Sequence, residues 1–290
     1  MRPPVSFIVL CALLCAIKIF PLDWPVEKRI ITGTFGEFRG NHFHGGIDIG
    51  GGEQDVRPVL PGEIVFQYVE NIDYSSLPRG VGSFIDLHHE GGLASVYCHL
   101  RSEASRILSK TVEVDERIGT IGDTGYSEGK HLHFMVIDEE TSSFVNPLSL
   151  LAPVADMQPP VIKSVGLRIG DSVRPLTAGT MVSAGSWEIL SDIYDLREDV
   201  RYLWTLAPYS VHLTLNGKEV SKVVFDSIQA TDGRMTMRAT RLSVEDVYAR
   251  DGLMRFGPVE LREGETQIII VARDFRGNEV SREISFSVRE

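Results

Sequence analysis

From Ile30 to Leu151 the chain sets short apolar stretches between glycines: Gly33, Gly36, Gly40, Gly45, Gly46, Gly50 to Gly52, Gly62, Gly80, Gly82, Gly91, Gly92, Gly119, Gly122, Gly125 and Gly129. This pattern predicts many short strands joined by tight turns. Strands are expected over Gly62 to Tyr68, Ser83 to His88, Ala94 to Leu100, Arg117 to Gly122 and His131 to Ile137, and only Ser102 to Leu108 reads as briefly helical. The stretch from Ala152 to Pro160 ends in tandem prolines, which cannot continue a hydrogen-bonded ladder and favour an extended connector. Beyond it, Asn216-Gly217 between the alternating runs Val211 to Leu215 and Lys218 to Val220 predicts a type I′ hairpin. Gln267 to Ala272 and Val280 to Val288 read as two further strands around the turn at Asp274 to Asn278.

The expected fold class is all-β. A compact antiparallel unit over 30–151 is followed by a connector at 152–160 and a β-sandwich of immunoglobulin type, without the Cys pair, over 161–290. At 290 residues, two units behind a short leader fit the length. The leader covers residues 1–22. Its apolar run from Val5 to Ile17, broken by Lys18, suits the core of an export signal and falls short of a comfortable span, although Ile19 and Phe20 leave a signal anchor open. Leu10 before Cys11 and Leu14 before Cys15 argue against lipidation. The reading is therefore an exported protein, in the periplasm or cell envelope of a bacterium, with possible membrane anchoring through residues 1–22.

Composition narrows the chemistry. A net charge of −11 with no basic cluster argues against nucleic acid as a partner. Removal of the leader would leave Cys98 alone, so no disulfide framework is expected. In Ser95-Val96-Tyr97-Cys98-His99-Leu100 the period of two points Cys98 and His99 to opposite faces, which disfavours a Cys nucleophile paired with that imidazole.

The chemistry-bearing residues are His and Asp. His44-Gly45-Gly46-Ile47-Asp48 sets an imidazole four residues before a carboxylate, and the glycines favour a tight turn into a strand over a helix. In His131-Leu132-His133 the two imidazoles share one face of a strand. Catalytic zinc commonly takes three protein ligands from His, Asp or Glu. His44, Asp48 and one member of the His pair meet that count.

Three segments together resemble the lysostaphin/LytM-type zinc metallopeptidases. They are Gly33 to Ile49, Tyr97-Cys98-His99-Leu100, and Gly122 to Phe134, followed by the closing Val145-Asn146-Pro147-Leu148. The resemblance covers 30–151. It implies Zn²⁺ on His44, Asp48 and His133, with His99 and His131 acting on the water and the developing oxyanion. It also implies a compact antiparallel β domain, built as a duplicated hybrid motif with the metal in a groove. The activity implied is hydrolysis of peptide bonds in peptidoglycan stems or cross-bridges.

Zinc chemistry agrees with those roles, since a bound Zn²⁺ lowers the pKa of its water towards ~7 and an imidazole near ~6.5 can exchange a proton with it. Two departures stand out: Met135 follows His-Leu-His-Phe where the family most often has Glu, and Lys130 stands where Pro is frequent. A polar insertion from Glu70 to Val81 would border the groove and bear on substrate choice. His42, His88, His89 and His212 read as structural or surface residues, and Arg39 and Asn41 as candidates for the groove wall. Two rival functions remain open, a catalytically silent activator of other wall hydrolases and a zinc peptidase with a protein substrate.

Overall fold

The computed structural model describes residues 21–70, 80–102, 107–198 and 205–290. Most of the leader, the centre of the polar insertion and the middle of the expected helix at 102–108 lie outside them. Among the described residues no helix is long and apolar enough to cross a membrane.

Alternation becomes structure where one face can be buried. In Leu132–Asp138 the side chains of Leu132, Phe134 and Val136 are buried and the intervening residues are less so. This strand is the hub of the N-terminal sheet. On one side it pairs antiparallel with Leu93–Leu100, which continues through Ser83–His89 and Gly62–Tyr68 to Thr111–Val112. On the other side its beginning pairs with Ile47–Ile49 and its end with Ser143–Val145. Tyr97, Ile47, Ile49, Leu132 and Phe134 form the core beneath, together with Trp24 and Val26 from ahead of Ile30.

The stretch expected as a strand over Arg117 to Gly122 is regular only at Gly119–Thr120, paired with Asp55–Val56. Beyond it, Ile121 makes a single antiparallel bridge with Leu100. A Cβ at Gly122 would stand 2.6 Å from the Arg101 nitrogen, and the Gly122 amide donates to the His99 carbonyl at 2.9 Å.

Beyond residues 152–160, which hold no regular element, two sheets share one core. The first runs Ser172–Pro175, Val161–Ile169, Gly185–Tyr194, Met254–Leu261. The second runs Met181–Ser183, Glu279–Arg289, Gly264–Arg273, Ser210–Leu215, Lys218–Val224. Val165, Leu167 and Ile189 from one sheet meet Val211, Leu213, Ile268 and Ile270 from the other. The hairpin expected at Asn216-Gly217 is present, with positive φ of 49° and 77° as a type I′ turn requires.

The two halves are not beads on a tether. A hairpin of Ser227–Thr231 and Arg234–Met237 joins the edge of the N-terminal sheet, with Phe144 opposite Ile228, so that one ten-stranded sheet runs across both halves. Phe35 and Phe43, from the segment just before Asp48, are buried in the C-terminal core beside Phe225 and Tyr248. Gly36 sits flush on the Phe225 ring, where any Cβ would come within 2.0 Å, and the Tyr248 hydroxyl donates to its carbonyl at 3.1 Å.

Candidate metal centre

Sheet register explains how residues 85 apart in sequence meet. Asp48 in Ile47–Ile49 is the cross-strand partner of His133, so their side chains rise from the same face. His44, on the turn leading into that strand, completes a triangle. His44 Nε2 lies 3.0 Å from Asp48 Oδ1 and 2.9 Å from His133 Nδ1, and His133 Nδ1 lies 2.9 Å from Asp48 Oδ1. These are the three residues that the sequence picks out as ligands, brought together from two segments.

The donor set calls for a cation. His44 Nδ1 faces the Thr34 carbonyl at 2.8 Å and donates to it, so Nε2 meets the carboxylate oxygen either as a protonated donor or, in the neutral ring, with a lone pair. In the neutral ring the two acceptors at 3.0 Å repel unless a positive charge lies between them. The electrostatics carry the same demand. Burial works against the Asp48 charge, yet His44 and His133 hold its carboxyl well below the usual range. Burial also opposes a charge on His44, but Asp48 outweighs it and raises that imidazole above its ordinary value. Burial pushes His133 down to about 4, so it stays a neutral donor. Two neutral imidazole nitrogens and a carboxylate converging on one point suit Zn²⁺.

Beside the triangle stand the two other imidazoles of the resemblance. The His131 ring centre is 4.7 Å from that of His99, and His131 Nε2 is 3.7 Å from Asp48 Oδ1. His99 Nδ1 is held by the Thr124 carbonyl and His131 Nδ1 by the Gly129 carbonyl, each at 2.8 Å. Each ring in its neutral form therefore carries its lone pair on Nε2. Burial lowers the pKa of His99, which favours its neutral, proton-accepting form.

Strand alternation does not bring His99 here. Its backbone is left-handed, with φ of 59°, a conformation that a non-glycine residue adopts at a cost and that clusters at functional sites. The simple alternation expected through Cys98-His99 is thus broken at His99. Cys98 is instead the register partner of His133, fully buried, and burial drives its thiol pKa upward, so it is no nucleophile.

A feature beyond the sequence expectation is the clamp on Asp48. Arg39 Nη2 binds Asp48 Oδ2 at 2.8 Å and Glu37 Oε2 at 2.9 Å, which fixes the carboxylate oxygen facing away from the triangle. Gly33 makes room for it, since a Cβ there would stand 2.5 Å from Asp48 Oδ2 and 2.8 Å from Arg39 Nη2. The charged partners of a tight Gly33-x5-Arg39 turn were the available signal. Asn41 and His42 are exposed and bonded to each other, away from the triangle, and His88 pairs with Glu139. Met135 packs over Gly46.

Residues 42–147 match the model of peptidase family M23, and a separate family model matches 159–289. A metalloprotease of Haemophilus influenzae that is itself uncharacterized is 34% identical over 85 residues, covering 29% of this chain and 17% of the relative. The chain thus spans about a sixth of that relative's length. Among solved structures, a zinc-containing peptidase from Vibrio cholerae is 22% identical with a TM-score of 0.36, over 47% of this chain and 41% of its own. Lysostaphin from Staphylococcus simulans is 16% identical with a TM-score of 0.36, over 88% of this chain and 95% of its own. Residues 42–147 of this all-β chain thus resemble a peptidase domain of the M23 type.

Proposed function

We propose that the chain is a zinc-dependent endopeptidase that hydrolyses peptide bonds in peptidoglycan stems or cross-bridges. The observation that carries the reading is the convergence of His44, Asp48 and His133 on one point with His99 and His131 alongside. Bound zinc would polarise the scissile carbonyl and acidify a water held beside it. His44, Asp48 and His133 would hold the metal, and the Arg39 clamp keeps one oxygen of Asp48 fixed away from it. His99, neutral and fixed through Nδ1, accepts the proton of the attacking water at Nε2 and returns it to the leaving amine. His131, fixed in the same manner, orients the attacking water by accepting a hydrogen bond from it at Nε2.

The substrate class rests on the lysostaphin/LytM resemblance of the motifs. An exported location in the bacterial envelope, with a leader at 1–22, belongs to the same proposal, as does an accessory role for an immunoglobulin-type unit at 161–290 behind a connector at 152–160. Zinc content and digestion of cross-linked muropeptides, measured on the wild-type chain and on His133→Ala, test the reading. About one zinc per chain and trimmed cross-links in the wild type, with neither in the variant, are expected. Zinc without digestion would sink the substrate and turn the reading towards a protein target or an activator, and no zinc would sink the mechanism.

A further inference from the structure

A second group of acids lies where the connector meets the two C-terminal sheets. Asp156 comes from the connector, Asp195 follows the strand Gly185–Tyr194 of the first sheet, and Asp274 begins the turn after Gly264–Arg273 of the second. Three segments remote in sequence thus bring one carboxylate oxygen each to within 4.8 Å of one another. All three side chains are withdrawn from solvent: Asp195 is 5% and Asp274 2% exposed, and the Asp156 side chain is 2% exposed.

Two of the three acids have clear partners. Arg197 Nη1 binds Asp156 Oδ2 at 3.0 Å, and the backbone amide and side-chain amide of Asn278 bind Asp274 at 2.9 and 2.6 Å. Asp195 differs, because its Oδ1 is buried with no hydrogen-bond partner. Such an atom forfeits the hydration it would have in water and gains nothing in return, a cost that calls for an explanation. Among the described residues the three carboxylates outnumber the two arginines, Arg197 and Arg276, that line the adjoining cavity. Burial, then Asp274 and Asp156, push the Asp195 acid up to about 8, which expresses the same mutual repulsion.

We propose that Asp156, Asp195 and Asp274 form a calcium site that ties the connector to both sheets of the C-terminal unit. The ligands are all oxygen, with no His or Cys among them, which selects a hard cation over zinc or copper. Calcium bonds of 2.3–2.6 Å let two ligating oxygens stand up to about 5 Å apart, which accommodates this spacing. Magnesium demands near-ideal octahedral geometry and gives up its waters reluctantly, whereas calcium accepts irregular sets of six to eight oxygens, so carboxylates drawn from three separate segments suit calcium better. The ion would sit at the wall of a cavity of about 250 Å³ between the halves, lined by Asp156, Asp195, Trp24 and Tyr209. Solvent reaching that cavity could complete its coordination. The site is separate from the His44 triangle, and the inference stands or falls independently of the peptidase reading.

The test uses the full chain loaded with zinc, with terbium luminescence excited through Trp24 and Tyr209 and displaced by calcium. The expected result is about one terbium per chain, displaced with a calcium Kd in the roughly 10⁻⁴ to 10⁻³ M range of extracellular modules. At about a hundred times that Kd, calcium should raise Tm by about 5 °C. Asp195→Asn should weaken both responses at least about tenfold, keep its zinc, and melt no lower than the calcium-free wild type, because the amide relieves the buried repulsion. Asp274→Asn supplies the same comparison should the first variant not fold. Neither binding nor a Tm shift in the wild type overturns the proposal and leaves Asp195 a neutral acid. Undiminished binding in both variants, or displacement by magnesium as strong as by calcium, overturns it equally.

Discussion

At the scale of single residues, the metal triangle depends on groups that never touch the metal position. Arg39 is partly exposed, yet it grips the outer oxygen of Asp48 and is itself steadied by Glu37. Arg39→Met should keep the chain folded and weaken zinc about 10- to 100-fold, the usual cost of losing a partner that orients a ligand. Competition with a chromophoric chelator reads this directly, and an unchanged affinity would show the clamp to be incidental. His99→Ala separates proton transfer from metal binding. Zinc should stay near one equivalent while turnover falls by roughly 10² to 10⁴. The five imidazoles and carboxylates were legible in the sequence because their chemistry is local to short motifs. The left-handed turn at His99 was not, since it answers to Val81, Gly122 and Thr124 across the fold.

Among elements, the strands that alternate over a buried face were legible, and those fixed by docking were not. Leu132–Asp138 shows that alternation, whereas Gly62–Tyr68 keeps its expected bounds but leaves Val65 and Phe66 exposed. The hairpin around Asp232-Gly233 carries a turn signal with positive φ at both residues, but the edge it joins is defined by Ser143–Val145, more than eighty residues earlier. His89 shows how an element stores pH sensitivity away from the metal. It closes Ser83–His89 with Nδ1 on the Pro61 carbonyl at 2.9 Å and Nε2 on Ser95 Oγ at 2.6 Å. Burial holds its pKa below the ordinary 6.5. The folded chain therefore keeps it neutral while the unfolded chain takes up a proton, so its contribution is full above about pH 6.5 and is lost as pH falls towards the folded value. Wild type should lose Tm more steeply than His89→Gln between about pH 6.5 and 5, and equal slopes would refute this.

For the whole molecule, the connector rich in proline marks a change of pattern but not a mechanical joint. Sequence reading shows where apolar periodicity is interrupted, and it is blind to whether the flanking units share a core. Phe35 and Phe43 look like ordinary core residues of the first unit, and only the fold shows them seated against Phe225 in the second. A chain ending at Ala152 would bare both rings and leave Ser143–Val145 as an open edge. It should aggregate on size-exclusion chromatography or bind zinc at least about tenfold more weakly, because the turn carrying His44 loses its backing. Full solubility with unchanged affinity would show the halves to be independent. The shared ten-stranded sheet also bears on the life of the protein among other proteases. A cut within residues 153–160 would sever the covalent link while leaving the Phe144–Ile228 ladder and the Phe43–Phe225 contact in place. A nicked chain should therefore migrate as one particle until denatured, and two separately expressed fragments should be able to reassemble into a zinc-binding whole.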